Sequence, residues 1–373
     1  MSTGEAPGSG KTQITGSQMM FLLLAVSVGG IPALGPRGGL ENVPWLATVC
    51  AFLAGLPLFL LYRGIIRLYP RKNLFEINKT AFGRVLGPAV FALYLAGFFF
   101  VASYYFFSLI QFKASLAMPD TPAWFFVLVV SLLCVYACHL GLEPVARLNV
   151  LVLLVLLLTT LGTFVFLLPQ MRLERLLPLT DFAPASLLEN GFLFFVLQFA
   201  LLSMLFIFLG DVKEKAALSK VFFRAFTLSF LFFLLRMLLN VLVLGDALGL
   251  FPHPGLQVFR LAELSGSFTR LELLDQLVLV ANLLILLMVS FLGLSRGLSE
   301  LFSGKRPFHF IWPLMILNFA CVSFFSNMDI AAARTLFRSA LCYGGAGLIF
   351  LTVVTFLRGL MLKNRRENAS GGE

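Results

Sequence analysis

The sequence predicts an all-α integral membrane protein with ten transmembrane helices. Hydrophobic residues make up 59% of its 373 residues, charged residues only 12%, and the mean hydropathy is +0.94. A soluble domain of this size could not bury so much apolar surface, because a soluble surface is roughly a quarter charged. The chain also contains ten apolar runs of about 20 residues, the length that crosses a bilayer as a helix. These runs leave no room for a separate soluble domain.

Charges and turn residues separate the ten predicted spans. The spans cover residues 15–35, 43–66, 87–111, 121–140, 146–168, 190–210, 218–244, 271–295, 308–327 and 335–358. Residues 15–358 are therefore expected to form a single transmembrane domain. A polar N-terminal tail (1–14) precedes it, and a basic tail (359–373) follows it.

The distribution of basic residues predicts the orientation in the membrane. Of the 28 Lys and Arg residues, 19 lie in the two tails and the loops on their side, and 8 lie in the loops on the other side. The remaining one, Arg236, lies within a span. Because cytoplasmic loops carry the excess of Lys and Arg, both termini are predicted to be cytoplasmic. Contact with anionic lipid headgroups accounts for the net charge of +10, so no nucleic-acid partner is expected.

The sequence patterns do not favour an enzyme, a metal site or a cofactor. The GSGKT stretch (8–12) lacks the glycine spacing of a phosphate-binding loop, which also needs a preceding strand. The five cysteines and three histidines show no metal-ligand spacing. A Gly-x-Ser-x-Gly motif is absent, and no pair of carboxylates lies in the middle of a span.

The first span ends in residues that weaken helices. Gly29, Gly30, Ile31 and Pro32 follow directly on the apolar run MMFLLLAVSV. Glycine weakens a helix by about 1 kcal/mol and proline by about 3 kcal/mol. Backbone groups freed in this way are tolerated in a membrane only where protein covers them or a cavity solvates them, so the stretch indicates a small-molecule site. The alternative is an ordinary helix end followed by a turn, which is the interpretation we favour for Pro36–Pro44.

Three other spans carry polar residues in apolar surroundings. In span three, Ser103, Tyr104 and Ser108 belong to a polar stripe that either bonds a neighbouring helix or faces a cavity. Span six has Gln198 near its centre, and span eight has Asn282. A buried amide without a partner costs several kcal/mol, so each amide predicts either a clamp between helices or a contact with a ligand.

Charged residues near the span ends predict two ion pairs. Arg236 lies in the outer half of span seven, where Asp275 and Glu272 at the outer end of span eight are candidate counter-ions. The pair is either structural or a latch for the outer loop. Glu143 and Arg147 are spaced for an i,i+4 pair. In the outer loop 246–270, the apolar pattern predicts a short amphipathic helix, either a lid or a connector.

Several motifs, in this order along the chain, resemble a known family. They are LYPRKNLFEI (68–77), FGRVLG (82–87), YACHLGLEPVAR (136–147) and TRLELLDQ (269–276). With an interrupted first span and ten spans in all, the chain resembles the B subunit of bacterial spore germinant receptors, the endospore germination permeases. This family belongs to the amino acid–polyamine–organocation transporter superfamily.

The resemblance implies a five-plus-five inverted-repeat transporter fold with a discontinuous first helix. The repeats would cover about 15–168 and 190–358, with a ligand site between spans one, three, six and eight. The implied ligand-binding residues are Gly29, Gly30, Ile31, Pro32, Tyr104, Ser108, Gln198, Leu202 and Asn282. Glu143, Arg147, Arg236 and Asp275 are expected to have structural or gating roles. Glu143 and Arg147 in particular are expected to form a packed element between spans four and five. In such a fold span six should be broken as span one is, yet its only glycines are at its ends and it has no proline.

The resemblance further implies that the protein senses a nutrient germinant, often an amino acid, and relays its binding to partner subunits. The partners would be an A subunit and a lipoprotein C subunit, together with membrane lipid, in the inner membrane of the spore. The alternative is an ion-coupled secondary amino acid transporter. A third possibility is a scaffold that only anchors its partners.

Overall fold

The computed structural model describes residues 13–29, 44–70, 72–115, 122–177, 183–214, 217–251, 254–264, 271–302, 307–326, 328 and 330–370. The α-helices are α1 (Gly16–Gly29), α2 (Pro44–Leu68), α3 (Leu74–Ser115), α4 (Ala123–Leu140), α5 (Leu142–Leu167), α6 (Pro184–Gln198), α7 (Leu218–Leu244), α8 (Pro254–Leu264), α9 (Leu271–Leu301), α10 (Phe308–Ser326) and α11 (Ile330–Ser370). The 3₁₀ segments are Leu168–Gln170, Leu173–Leu176, Ala200–Asp211 and Gly245–Leu250. In the described chain, β-structure is limited to one isolated bridge between Ile14 and Val212. The fold is all-helical, as predicted.

Eight helical segments of the described chain are long and apolar enough to cross a bilayer. One of them, Pro184–Asp211, joins α6 to the 3₁₀ segment that follows it. Two further apolar helices, Gly16–Gly29 and Trp124–Leu140, are shorter. Each of these ten segments overlaps one of the predicted spans. The protein is therefore a membrane protein with multiple apolar helices.

Helix α3 begins earlier than predicted. Residues 67–86, between the second and third predicted spans, were expected to form a loop, but the chain is helical again from Leu74, with a kink at Gly83, whose φ is 85°. A capping box starts this helix: Asn73 Oδ1 accepts a 2.9 Å hydrogen bond from the Glu76 N–H, and the Glu76 carboxylate accepts one from the Asn73 N–H at 3.1 Å. Local capping and a glycine that tolerates positive φ explain the extra helix.

Helices α1, α6 and α9 form the buried centre of the bundle. In its most apolar 18-residue window, the α6 span is 94% buried and the α9 span 72% buried. The other six spans are only 28–39% buried in the corresponding window. Nine of the fourteen residues of α1 are also buried. The ring of outer helices thus shields these three elements from lipid.

The start of α1 is fixed to the end of the 3₁₀ segment Ala200–Asp211. The Ile14 N–H donates to the Asp211 carbonyl, and the Lys213 N–H donates to the Ile14 carbonyl, both at 3.0 Å. The Asp211 carboxylate forms an ion pair with Arg296 of α9, with Nη2 and Oδ1 3.0 Å apart. Arg296 Nε also lies 3.7 Å from the Glu300 carboxylate. We call this end of the bundle the terminal face, and the end towards which α1 runs the distal face.

Candidate functional site

The sixth span changes its helical geometry near its centre. Helix α6 ends at Gln198, Phe199 has φ −125° and ψ −38°, and a 3₁₀ segment of twelve residues follows. Runs of 3₁₀ helix beyond three or four residues are uncommon, and within a helix they often mark a functional hinge. No proline or central glycine predicts this break. We call residues 198–200 the α6 junction.

Side chains from two other helices bind the carbonyls of the α6 junction. The Ser27 hydroxyl of α1 donates to the Gln198 carbonyl at 2.8 Å. The Tyr62 hydroxyl of α2 donates to the carbonyls of Phe199 at 3.0 Å and Ala200 at 3.1 Å. In an apolar interior, a carbonyl that loses its helical partner must find another donor. These hydroxyl groups explain how the span can break without a helix-breaking residue.

Two buried amides lie close to the end of α1. The side chains of Gln198 in α6 and Asn282 in α9 are both 0% exposed. Neither the oxygen nor the nitrogen of either amide has a hydrogen-bond partner in the described part of the chain. Leaving such a group unpaired costs about 1–3 kcal/mol. These unused donors and acceptors are what a binding site for a polar small molecule requires.

Gly29, the last residue of α1, brings this helix against α9. A Cβ atom at this position would overlap the Leu286 side chain and lie 2.9 Å from Asn282 Nδ2. Only glycine allows this approach. The predicted site residues Gly30, Ile31 and Pro32 lie outside the described residues. Among the others, Asn282 lies against Gly29, and the Gln198 backbone carbonyl is bonded by Ser27, two residues before Gly29.

Leu202 lies one turn of the 3₁₀ segment beyond the junction. It is 2% exposed, and its N–H donates to the Phe199 carbonyl at 3.3 Å. The hydroxyl of the neighbouring Ser203 donates to the Ala200 carbonyl at 2.9 Å. Every hydrogen bond described at the junction joins neutral groups.

The polar stripe of α3 lies in a different environment. Tyr104 and Ser108 are buried, and the Tyr104 ring packs against Phe337 of α11 with 5.9 Å between centroids. The adjacent Ser103 accepts a 2.8 Å hydrogen bond from Asn318 of α10, so this part of the stripe bonds a neighbouring helix.

Arg236 forms an ion pair with Asp275 near the distal face. Its guanidinium nitrogens lie 3.2 and 3.4 Å from the two carboxylate oxygens, and Asp275 is 0% exposed. Arg236 also donates to the Thr160 hydroxyl of α5 at 3.3 Å and lies over the Phe259 ring at 5.5 Å. Phe259 is on α8, the amphipathic helix predicted in the outer loop. Arg236 therefore joins helices α5, α7, α8 and α9.

The Glu143–Arg147 pair is a surface contact. The predicted i,i+4 ion pair forms, with 2.5 Å between Arg147 Nη2 and Glu143 Oε1. However, the Arg147 side chain is 70% exposed. The Arg147 end of the pair thus lies at the surface, which does not fit the packed element that the resemblance implied, while the Glu143 side chain is partly buried at 34% exposure.

Some of the residues that bind the sixth span were not among the predicted ones. Ser27 and Tyr62 bind the junction carbonyls, and Arg338 of α11 donates to Asn190 Oδ1 of α6 at 2.6 Å. A signal for the first two does exist in the sequence. Ser27 is the only polar side chain in MMFLLLAVSV, and Tyr62 the only one in LPLFLLY (56–62).

A comparison with protein families finds one model that covers most of the chain. The model described as "Spore germination protein" matches residues 13–330. Two proteins of Bacillus subtilis (strain 168) are similar. Spore germination protein YndE is 22% identical over 321 residues, which cover 83% of this chain and 85% of that protein. Spore germination protein KB is 25% identical over 137 residues, 37% of each chain.

The fold resembles that of a solved transporter. The structure of Mhp1, a nucleobase-cation-symport-1 family transporter, in a closed conformation with bromovinylhydantoin bound, aligns with a TM-score of 0.64 at 12% identity. The alignment covers 91% of this chain and 78% of that one. At this identity the likeness concerns the fold alone. With the family model matching most of the sequence, the chain belongs to the spore germination protein family.

Proposed function

We propose that the protein is the ligand-sensing membrane subunit of a spore germination receptor. It binds a small nutrient metabolite, an amino acid, beside the α6 junction and relays this binding to partner subunits. The observation that carries the proposal is the pair of buried, unpartnered amides of Gln198 and Asn282 next to the end of α1. The unpaired amides destabilise the ligand-free protein, and a ligand that forms hydrogen bonds to both of them would remove this cost.

The chemistry of the junction suits the two ends of an amino acid. Helix α6 ends at Gln198, and a helix C-terminus carries a partial negative charge that favours an ammonium group. The amide nitrogens of Gln198 and Asn282 can donate to a carboxylate. In transporters with discontinuous helices, unwound backbone completes such a site, a role we assign to Gly29–Pro32. Tyr104, Ser108 and Leu202 would form its walls.

The proposed architecture has ten spans in two inverted repeats of five, about 15–168 and 190–358, with the first span discontinuous at Gly29–Pro32. The two shorter apolar helices, α1 and α4, would be part of the first and fourth spans. The excess of basic residues supports cytoplasmic termini. We place the protein in the inner membrane of the spore. The germination family supports an A subunit and a C subunit as partners.

The proposed relay uses the 3₁₀ segment. A ligand shifts a conformational equilibrium only if it binds one state more tightly than the other. Because both amides are fully buried, the helices around them must separate before a ligand can enter. The 3₁₀ segment connects the junction to Asp211 and its ion pair at the terminal face. Ligand binding at one end would thus change the packing at the other, where partner subunits can detect it.

Ligand-induced thermal stabilisation of the purified protein tests the proposal. The panel would contain amino acids, nucleosides and sugars, with the A and C subunits present. We expect one class to raise the melting temperature of the wild type and to have no effect on the variants Asn282→Leu and Gln198→Leu. Both variants should be more stable than the wild type without ligand, because each removes a buried unpaired amide.

Asn149→Leu is the matched control. Asn149 of α5 is also 0% exposed, and its amide has no partner in the described chain. This variant should gain stability in the same way but keep the ligand response. The proposal fails if no compound stabilises the wild type, or if Asn149→Leu loses the response together with the two junction variants.

An ion-coupled secondary amino acid transporter is the second candidate. It is favoured by the likeness to a cation-symport transporter fold and by the partial negative charge at the end of α6, which suits a cation as well as an ammonium group. Liposome uptake of the stabilising metabolite, with and without sodium or proton gradients, separates the two functions. Gradient-dependent accumulation would establish transport, whereas binding without accumulation would support sensing.

A further inference from the structure

A groove opens between α2 and α7 near the terminal face. Its volume is about 580 Å³. Its lining residues include Phe59, Leu60, Arg63, Lys220, Phe223 and Arg224. The groove lies near the end of α2 and the start of α7, on the outside of the bundle where lipid would surround it.

The middle of the groove is apolar. Leu60 is 60% exposed and Phe223 is 51% exposed, so both present hydrocarbon to the surroundings. Phe59 is 7% exposed and forms the floor, with its ring centroid 5.4 Å from that of Phe223. A surface of this kind suits an acyl chain, because lipid tails are as apolar as these side chains.

The end of the groove is strongly basic. Arg63 comes from α2, and Lys220 and Arg224 come from α7. Over the described residues, none of the three takes part in an ion pair, and the buried Arg63 Nε has no hydrogen-bond partner. No carboxylate lines the groove. Three cations at one end of a groove without a carboxylate favour an anion there.

The start of α7 adds to this preference for an anion. No side chain caps the first turn of the helix, where Ser219 and Lys220 lie. The free N–H groups of a first turn and the helix dipole favour a phosphate group. The apolar wall and the basic end meet in one groove, which matches the two parts of a phospholipid.

We propose that this groove binds one anionic phospholipid. Its phosphate would contact Arg63, Lys220 and Arg224, and one acyl chain would lie along Leu60 and Phe223. A zwitterionic lipid would bind more weakly, because each basic residue near an anionic headgroup contributes about 1 kcal/mol. On the proposed orientation the site lies in the cytoplasmic leaflet.

Lipid in this groove would also affect the α6 junction, through Tyr62. Tyr62, which binds two junction carbonyls, directly precedes Arg63 on α2. A lipid that bridges α2 and α7 would therefore hold Tyr62 in place. The occupancy of this site does not depend on which metabolite the protein senses.

The test measures lipid binding to the delipidated full-length protein. Phosphatidylglycerol and phosphatidylcholine are added separately to detergent micelles, and bound lipid is counted by native mass spectrometry while the melting temperature is recorded. We expect one retained phosphatidylglycerol and a higher melting temperature with it than with phosphatidylcholine. The variant Arg63→Gln/Lys220→Gln/Arg224→Gln should bind phosphatidylglycerol roughly 100-fold more weakly, since three such contacts are lost.

The control variant removes three basic residues from the same side of the membrane. Arg358→Gln/Lys363→Gln/Arg365→Gln changes exposed positions on α11 and should bind the lipid as the wild type does. If the first triple variant does not fold, Lys220→Gln/Arg224→Gln changes only exposed residues and should still weaken binding by roughly 30-fold. Equal losses in the groove and control variants would overturn the proposal.

Inorganic phosphate is the third arm of the experiment. A lipid site needs both the headgroup and the acyl chain, so phosphate alone should not raise the melting temperature to the same degree. A stabilisation by phosphate equal to that by phosphatidylglycerol would contradict the lipid assignment. Equal effects of phosphatidylglycerol and phosphatidylcholine would contradict the anion preference.

Discussion

The fifth and sixth spans of this protein are similarly apolar but differ in structure. Helix α5 is a regular α-helix of 26 residues, and only 33% of the most apolar window in its span is buried. The sixth span is 94% buried in the corresponding window and breaks into α6 and a long 3₁₀ segment. Irregular backbone within a membrane is tolerated only where protein covers it. The difference shows that burial by other helices, and not composition, allows a span to break.

The two spans also differ in how charges fix their ends. The sixth span ends in the Asp211–Arg296 pair, whose side chains are 7% and 29% exposed. Helix α5 begins with the Glu143–Arg147 pair, in which Arg147 is 70% exposed. A buried charge that loses its partner is costly, whereas an exposed pair contributes little. An arginine–carboxylate pair should therefore contribute more to stability at the end of the sixth span than at the start of α5.

The largest expected effect comes from Asp211→Asn. It should lower the free energy of unfolding by about 3 kcal/mol, because Arg296 would keep only its longer contact with Glu300. Chemical denaturation in detergent micelles measures the loss. The control Glu143→Gln should cost less than about 0.5 kcal/mol. Similar losses in both variants would refute the contrast between the two ends.

Gly55→Ala on α2 should be the next most harmful change, at about 2 kcal/mol. A Cβ atom there would lie 2.8 Å from the Phe199 ring at the α6 junction and 3.0 Å from Phe226. Gly162→Ala is the counterpart in α5, where a Cβ atom would meet nothing within 4 Å. It should raise stability by up to about 1 kcal/mol through better helix propensity. Chemical denaturation in detergent micelles measures both changes. The contrast holds only if Gly55→Ala lowers the free energy of unfolding and Gly162→Ala raises it.

Tyr62→Phe should destabilise the protein by about 1–2 kcal/mol, because two buried carbonyls lose a donor. Hydrogen exchange should also become faster at the amides of residues 202 and 203. Thr159→Val is the control, since the Thr159 hydroxyl bonds only the Leu156 carbonyl of its own helix in the described structure. Its effect should stay within about 0.5 kcal/mol. Unchanged exchange in Tyr62→Phe would mean that Tyr62 does not support the break.

Ser27→Ala is expected to have the smallest effect, about 1 kcal/mol, since it removes one donor to the Gln198 carbonyl. Ser229→Ala is its control: this buried hydroxyl bonds the Phe226 carbonyl within α7. Thermal unfolding of the two variants side by side gives the comparison. A loss in Ser229→Ala as large as that in Ser27→Ala would argue against a special role for the contact between α1 and α6.

Several features could be predicted because the sequence leaves few alternatives. An arginine within an apolar run needs an acidic partner, and Asp275 was one of only two candidates in the facing span. Gln198 and Asn282 stood out because each is an isolated amide among apolar residues. The amphipathic helix α8 follows from local periodicity. In each case the energetic penalty of burying a polar group restricts the possible arrangements.

Other features depend on residues far apart in the chain. The donors to the α6 junction are 171 and 137 positions away from the carbonyls that they bind. No pattern within 190–210 contains this information. The exposure of Arg147 likewise depends on what packs beside it, while the i,i+4 spacing that predicted its ion pair is purely local.

The sequence by itself determined that this protein is helical and lies in a membrane, and which polar residues lie in apolar surroundings. These properties follow from hydrophobicity and charge, which are fixed residue by residue. Only the tertiary structure decided that the sixth span breaks at Phe199, because the break depends on hydroxyl groups supplied by α1 and α2. A backbone hydrogen bond can be given up in a membrane only when another group replaces it, and that group is known only once the helices are packed.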